Sequence, residues 1–371
     1  CIYQPGSILS TYYFPPCLFC SQKDISPRNF YPALQVKNIY LRPKLHMMKI
    51  AVTGASGHVG SNLCPLLIEK GYDVNVLYFR DDRAFRNLPV HTFKGDLNIP
   101  ESLDSFLEGV DVVINTAAYI SVNLNDDDTV YNTNVNGTKN LINKCLEHRV
   151  KRLIHFSSIH AFNAFPLDKC LDEQRPLAEN PEFIYDRSKA DSEKIVRAAN
   201  CGELETVVLN PTSIIGPGDH KPSLIGRTII NMYHKIIPAL VSGGYDFVDV
   251  RDVAQAAVNA ITMARAGEKY LLSGKWHCIK EFGEIFSTAS KVPSPRFICP
   301  LWLAQVSVPI VRPFLNKEIK VVFNRQTIKI LKESNRQVSS AKAQKELGFK
   351  SRDLHESISD AVEWFKEHKY V

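Results

Sequence analysis

The chain has 371 residues, 44% of them hydrophobic, enough to bury a full core in one large or two interleaved domains. Its net charge of +6 comes without a dense basic stripe, which argues against nucleic acid as a partner. Nine cysteines lie scattered with no repeating spacing, which argues against a disulfide framework and fits reduced thiols in a cytoplasmic protein.

Residues 1–46 differ from the rest of the chain. They open on Cys1, carry Pro5, Pro15, Pro16, Pro27, Pro32 and Pro43, and show no sustained periodicity. Met47 and Met48 stand directly before the first apolar run, so residues 1–46 read as a non-native or disordered leader from an upstream-extended frame. The rival reading is a targeting segment, because the stretch is basic and nearly free of acids, but it lacks an apolar h-region and a regular amphipathic pattern. Cys17-x-x-Cys20 has no second ligand pair and reads as incidental, not as a zinc or redox site.

The organising stretch is Lys49 to Gly60. Ile50, Ala51 and Val52 predict a strand buried on both faces, and Ser61 to Lys70 a helix. Between them, Gly54, Gly57 and Gly60 at G-x-x-G-x-x-G spacing make an anion site of tight turn and helix N-terminus. Gly54 permits the turn, Gly57 lets backbone amides approach a pyrophosphate, and Gly60 lets the helix lie close to the strand. The spacing by itself also suits glycine turns of other α/β proteins.

Val74, Val76 and Tyr78 alternate as a second strand. It runs into Phe79-Arg80-Asp81-Asp82-Arg83, where an arginine suits a 2′-phosphate and a carboxylate suits ribose hydroxyls. Arg80 comes first and favours NADP, while Asp81 and Asp82 keep NAD open. Strands are predicted at 90–93, 111–114 and 151–156, and helices at 100–107 and 131–146. Asn115-Thr116-Ala117-Ala118 ends a central strand in small residues, which suits a crevice where a flat ring lies against backbone. This alternation predicts a doubly wound parallel sheet.

The strand at 151–156 delivers Ser157 and Ser158, and Tyr185-x-x-x-Lys189 leads into a helix on which Tyr185 and Lys189 share a face. A phenol with an ordinary pKa near ~10 is a poor acid or base at neutral pH, and a neighbouring ammonium favours its phenolate. A serine hydroxyl opposite can hold the substrate oxygen while hydride moves, without a metal. Tyr-x-x-x-Lys alone carries little; its weight comes from following the glycine turn and the strand-end serine in order.

Together, Thr53-Gly-Ala-Ser-Gly-His-Val-Gly60, Gly95-Asp96-Leu97, Asn115-Thr-Ala-Ala118, Asn134-Val-Asn-Gly-Thr138, Ser157-Ser158, Tyr185-x-x-x-Lys189 and Asn210-Pro-Thr-Ser-Ile-Ile-Gly-Pro-Gly-Asp219 resemble the extended short-chain dehydrogenase/reductase family over about Met48 to Val371. The resemblance implies a Rossmann-type α/β core with Ser158, Tyr185 and Lys189 catalytic, and Lys189 also on the nicotinamide ribose. It places Gly54, Gly57, His58, Val59 and Gly60 on the pyrophosphate, with His58 acting through its backbone. Arg80, Asp96 and Leu97 would border the adenosine half, and Thr116, Ala117, Ala118, Pro211, Thr212 and Ser213 the rest of the dinucleotide. Phe247-Val-Asp-Val-Arg-Asp-Val-Ala254 is similar to the dihydroflavonol-reductase-like and 3β-hydroxysteroid-dehydrogenase-like branch.

The implied domains are 48–215 with 245–273 for the dinucleotide, and 216–244 with 274–371 as a smaller substrate subdomain. A late strand at 269–273, a helix at 279–289 and a final helix with Leu354, Ile358, Val362 and Phe365 on one face complete the chain. Phe297 to Val311 is apolar but too short and interrupted to span a bilayer, and reads as a wall of the substrate pocket more than as membrane contact. His155 and His160 read as core or rim histidines, and Cys170 and Cys201 as packing or surface thiols. The reading is an NAD(P)-dependent oxidoreductase acting on a small carbonyl or alcohol. The alternatives are a nucleotide-sugar epimerase or dehydratase with bound NAD, and a non-catalytic dinucleotide sensor. The resemblance also implies a homodimer through the helices bearing Tyr185 and Asn134.

Overall fold

The apolar runs become the inner strands of a seven-stranded sheet in the computed structural model, which describes residues 47–120 and 127–371. The readings made for residues 1–46, with Cys17 and Cys20, lie outside the described residues. The sheet is built from β1 (Lys49–Thr53), β2 (Asp73–Tyr78), β3 (His91–Lys94), β4 (Val112–Asn115), β5 (Arg152–Phe156), β6 (Glu205–Pro211) and a late strand, Lys269–Leu272. Every pairing in it is parallel, in the order β3-β2-β1-β4-β5-β6 followed by that late strand.

Three short strands precede the late one: β7 (Ser213–Ile215), β8 (Leu240–Val241) and β9 (Gly244–Asp249). The late strand is thus β10, followed by β11 (Lys275–Cys278) and β12 (Ile298–Cys299). The helices in chain order are α1 (His58–Glu69), α2 (Asp104–Leu107), α3 (Asp127–Tyr131), α4 (Gly137–Glu147), α5 (Ile184–Ala198), α6 (Leu224–Tyr233) and α7 (Val250–Met263). They continue as α8 (Ile279–Ser290), α9 (Leu301–Val311), α10 (Lys317–Val322), α11 (Arg325–Glu333), α12 (Ala341–Leu347) and α13 (Leu354–Glu367).

The continuous apolar strands divide their residues between two cores because successive side chains point to opposite faces. Ile50, Val52, Ile114 and Ile154 join α1, α7 and α12 on one face. Ala51, Val113, Leu153 and Val208 join α2, α4 and α5 on the other. A third core, with Ile229, Phe282, Phe286, Ile358 and Phe365, holds α6, α8 and α13 around the small sheet β11-β9-β7. The architecture is the Rossmann-type α/β fold with an appended carboxyl-terminal helical region.

Two departures from expectation matter for the site. The helix expected over 131–146 is broken in register by a π-helical segment, Asn132–Asn136, between α3 and α4. The buried Asn134 side chain accepts from the Tyr119 amide and donates to the Tyr119 carbonyl and the Ser188 Oγ. A π-turn commonly marks such specialised positions. Strand β6 and helix α7 were not anticipated as elements, although Val207-Val208-Leu209 is an apolar run of the same kind as that of β1.

Candidate active site

The first residues of α1 make the base of the site. Gly54 sits at φ +69°, and a Cβ there would lie 2.6 Å from the Ala117 nitrogen. A Cβ on Gly60 would meet the Gly54 carbonyl. These two glycines are therefore required by close approach of backbone to backbone. Gly57 differs, since a Cβ would meet only the Gly54 oxygen, at 3.2 Å, and its other side is open to a cavity. No side chain caps α1 at Gly57, so its first-turn amides keep their donors for a ligand. An uncapped helix start and a cradle that a side chain would fill fit a pyrophosphate.

A single cavity of about 600 Å³ runs from this turn across the carboxyl ends of β1, β4, β5 and β6. Its walls bring together Gly57, His58, Val59, Thr116, Ala118, Ser158, Tyr185, Lys189, Pro211, Thr212 and Ser213, all anticipated from sequence. Gly54, Gly60 and Ala117 stand behind that wall as structural members of the turn. Arg80, Asp96 and Leu97 lie outside the cavity lining, beyond the ends of β2 and β3. Leu97 is buried, and Asn140 of α4 donates to its carbonyl.

Ser158 is placed at the end of β5, where its Oγ accepts from the His160 amide, and its side chain is close enough to hydrogen-bond Tyr185. Tyr185 lies in the first turn of α5, half-buried against the cavity. Desolvation pushes its phenol above the ordinary value, Asp186 pushes it further, and the Ser158 hydrogen bond pulls the other way. Lys189, one turn along, is 4% exposed, and its Nζ donates to the Phe156 carbonyl at 2.9 Å. Burial lowers its pKa to about 8 against the opposing pull of Glu193. The expectation that Lys189 would draw the phenol down is therefore corrected: burial and Asp186 dominate Tyr185 here, because the ammonium is itself desolvated and turned to a carbonyl.

A buried polar chain supports these groups from beneath. Thr53 Oγ1 donates to Asn115 Oδ1 at 2.6 Å, and Asn115 Nδ2 lies 3.1 Å from His155 Nδ1. His155 is fully buried, with its pKa lowered to about 3 by burial and then by Lys189, so it is a neutral core residue. His160 lines the cavity at its rim, edge-on to the Tyr185 ring at 6.0 Å and 3.5 Å from Asp186.

Some contacts of the site carry no local sequence signal. The His58 side chain reaches the carbonyls of Gly216 and Pro217 at 3.2 and 3.1 Å, tying the glycine turn to the loop after β7. Ser61 and Asn62 bond the Gly218 and Pro217 carbonyls of that loop at 2.7 and 3.0 Å. The far half of the cavity is apolar, with Ile225, Leu240, Phe282, Leu315, Val322 and Leu331 among its lining. The expectation for Phe297–Val311 is corrected in part: Phe297, Cys299 and Val311 line the cavity, but most of α9 faces outward.

Just past the end of β2, Arg83 binds Asp81 through paired nitrogens, with Nη2 at 2.8 Å, and Arg86 binds Asp82 at 2.6 Å. These arginines hold both carboxyls below the usual range. Arg80 is exposed and lies over the Phe79 ring at 4.7 Å.

Residues 50–273 match the NAD dependent epimerase/dehydratase family. The chain is 33% identical to sterol demethylase protein B of Methylococcus capsulatus, over 87% of this chain and 100% of that protein. It is 30% identical to a Synechocystis protein named as a candidate dihydroflavonol 4-reductase, over 86% and 95%. The solved structure of gox2253 superposes with a TM-score of 0.76 at 30% identity, covering 87% of this chain and 99% of that one. The glycine turn, the strand order and these relatives agree: the chain belongs to the NAD dependent epimerase/dehydratase family, within the extended short-chain dehydrogenases/reductases and their dihydroflavonol-reductase-like and 3β-hydroxysteroid-dehydrogenase-like branch.

Proposed function

We propose that the protein is an NAD(P)-dependent oxidoreductase that interconverts a carbonyl and an alcohol, with Tyr185 as the proton donor and acceptor. The single observation that carries the reading is the meeting of Ser158, Tyr185 and Lys189 on the wall of the cavity that begins at Gly57. Bound there, the nicotinamide supplies or accepts hydride. Tyr185 Oη gives its proton to the substrate oxygen in the reducing direction, and Ser158 Oγ holds that oxygen in place. Burial keeps the phenol protonated at neutral pH, so the proton is in place for reduction, although the raised pKa makes it a weaker acid. Lys189 is assigned to the nicotinamide ribose in this reading, and any pull it exerts on the phenol would come only with the dinucleotide bound.

The division of labour follows the same reading, with 48–215 and 245–273 holding the dinucleotide and 216–244 and 274–371 enclosing the substrate. Lys189 is the sole lysine or arginine among the described lining residues, so a nucleoside diphosphate in the substrate half would find no cationic partner beyond it. That supports a carbonyl substrate over a nucleotide sugar. Arg80, free of the ion pairs that occupy Asp81 and Asp82, supports NADP over NAD. Six free cysteines among the described residues fit a reducing, cytoplasmic setting, and a homodimer through α4 and α5 belongs to the same reading.

The test is NADPH consumption against a panel of ketones and aldehydes, with Tyr185→Phe as control. Turnover unchanged in that variant removes the assigned mechanism.

A further inference from the structure

Helix α9 is apolar on both sides. Ala304 and Val308 join Ile328 of α11 in a small core. The opposite arc carries Trp302, Val306 and Ile310 at four-residue spacing, 67%, 61% and 65% exposed. Phe314, just past the helix, is 87% exposed, and Phe297, just ahead of it, 60%. Scattered surface apolars need no explanation, but a run along one helix face marks an interaction surface.

Two observations say what that surface meets. From Arg296 to Lys320 the sequence holds four basic residues and one acid, Glu318, so the stretch of chain that carries the patch is net positive. A two-fold contact between copies would set this positive stretch against itself, whereas an anionic lipid surface complements it. The patch is also continuous with the substrate half of the cavity, because Phe297, Val311 and Leu315, its chain neighbours, line that cavity. No described helix is long and apolar enough to cross a membrane, so the contact is one that lies on the surface.

We propose that α9 and Phe314 seat on an anionic bilayer, with Trp302, Val306 and Ile310 entering the interfacial layer and the apolar end of the cavity facing the lipid. The arrangement would pass a bilayer-dissolved carbonyl or alcohol to Tyr185. This delivery rests on the proposed oxidoreductase activity, and the seating does not.

Flotation of the full chain with vesicles of phosphatidylcholine plus phosphatidylglycerol, and with phosphatidylcholine alone, tests it. Wild type floats with the anionic vesicles, and binding falls roughly tenfold on neutral vesicles or in high salt. Val306→Glu with Ile310→Glu stays at the bottom of the gradient, while its melting temperature and its turnover of a water-soluble carbonyl match wild type. Trp302 emission shifts to the blue on binding. Failure of wild type to float, or equal flotation on neutral vesicles, overturns the assignment. So does a concentration-dependent dimer that the double variant abolishes, which would give the face to a second copy. Flotation without any carbonyl turnover leaves the seating intact and removes only the oxidoreductase reading.

Discussion

The Nζ of Lys189 donates to the carbonyl of Phe156, the last residue of β5, across 33 positions of sequence and inside the protein. An ammonium held this way is desolvated on one side and hydrogen-bonded on the other, and its stability effect has a definite sign. Its folded pKa, about 8, lies below the ordinary lysine value of 10.5, so burying the charge costs stability in full below about 8. That cost is relieved as pH rises from about 8 to 10.5.

Lys189→Met should therefore melt above wild type at neutral pH. Relief of charge burial is on the order of 3 kcal/mol, against about 1–3 kcal/mol for leaving the Phe156 carbonyl without its donor. The gap should close as pH approaches 10.5, while turnover falls roughly a hundredfold or more. Melting curves across that range check it, and a gap that widens with pH would contradict a buried ammonium.

Tyr185→Phe keeps the ring and removes the oxygen. The expected loss in kcat/KM is roughly 10²–10⁴-fold, the usual share of a positioned acid or base, with dinucleotide affinity near wild type. Steady-state kinetics and a cofactor titration separate the two effects.

The glycines of the turn should part company on substitution. Gly54→Ala forces a Cβ to within 2.6 Å of the Ala117 nitrogen at a positive φ, so it should lose on the order of 2 kcal/mol or more of stability. Gly57→Ala meets only a carbonyl oxygen, at 3.2 Å, so it should fold with little change. Its methyl group projects where backbone amides would meet phosphate, and dinucleotide affinity should fall about tenfold, or about 1.4 kcal/mol. Thermal melting with and without NADP distinguishes these outcomes.

Arg80→Asp should weaken NADP by roughly tenfold or more and leave NAD nearly untouched, if Arg80 meets the 2′-phosphate as proposed. Paired titrations of the two dinucleotides read it directly. Equal loss for both would assign Arg80 to general packing on Phe79.

Much of the sheet and of the glycine turn was legible because their signals are local. The run Ile50–Val52 and the three glycines define strand, turn and helix within a dozen residues, and Tyr185 and Lys189 share a face by helical spacing alone. Other features depend on contacts between distant segments. Leu240, Phe282 and Leu331 meet in one wall from three different elements, with no spacing to announce it. The π-turn at Asn132–Asn136 is a change of hydrogen-bond register, set by where Asn134 finds partners at Tyr119 and Ser188. The outward face of α9 looked like pocket wall because an apolar residue reads the same whether it faces a core or leaves it.

The grip of His58, Ser61 and Asn62 on residues 216–218 has a kinetic consequence. The helix start that would receive the phosphates also fastens the strand-to-helix link leading into α6, whose Ile225 and Thr228 border the opposite end of the chamber. Loading the first compartment is expected to steady the second through this link, so turnover should follow a compulsory sequence, nucleotide first and carbonyl second. Product-inhibition patterns report this directly, and His58→Ala should turn the compulsory sequence into a random one.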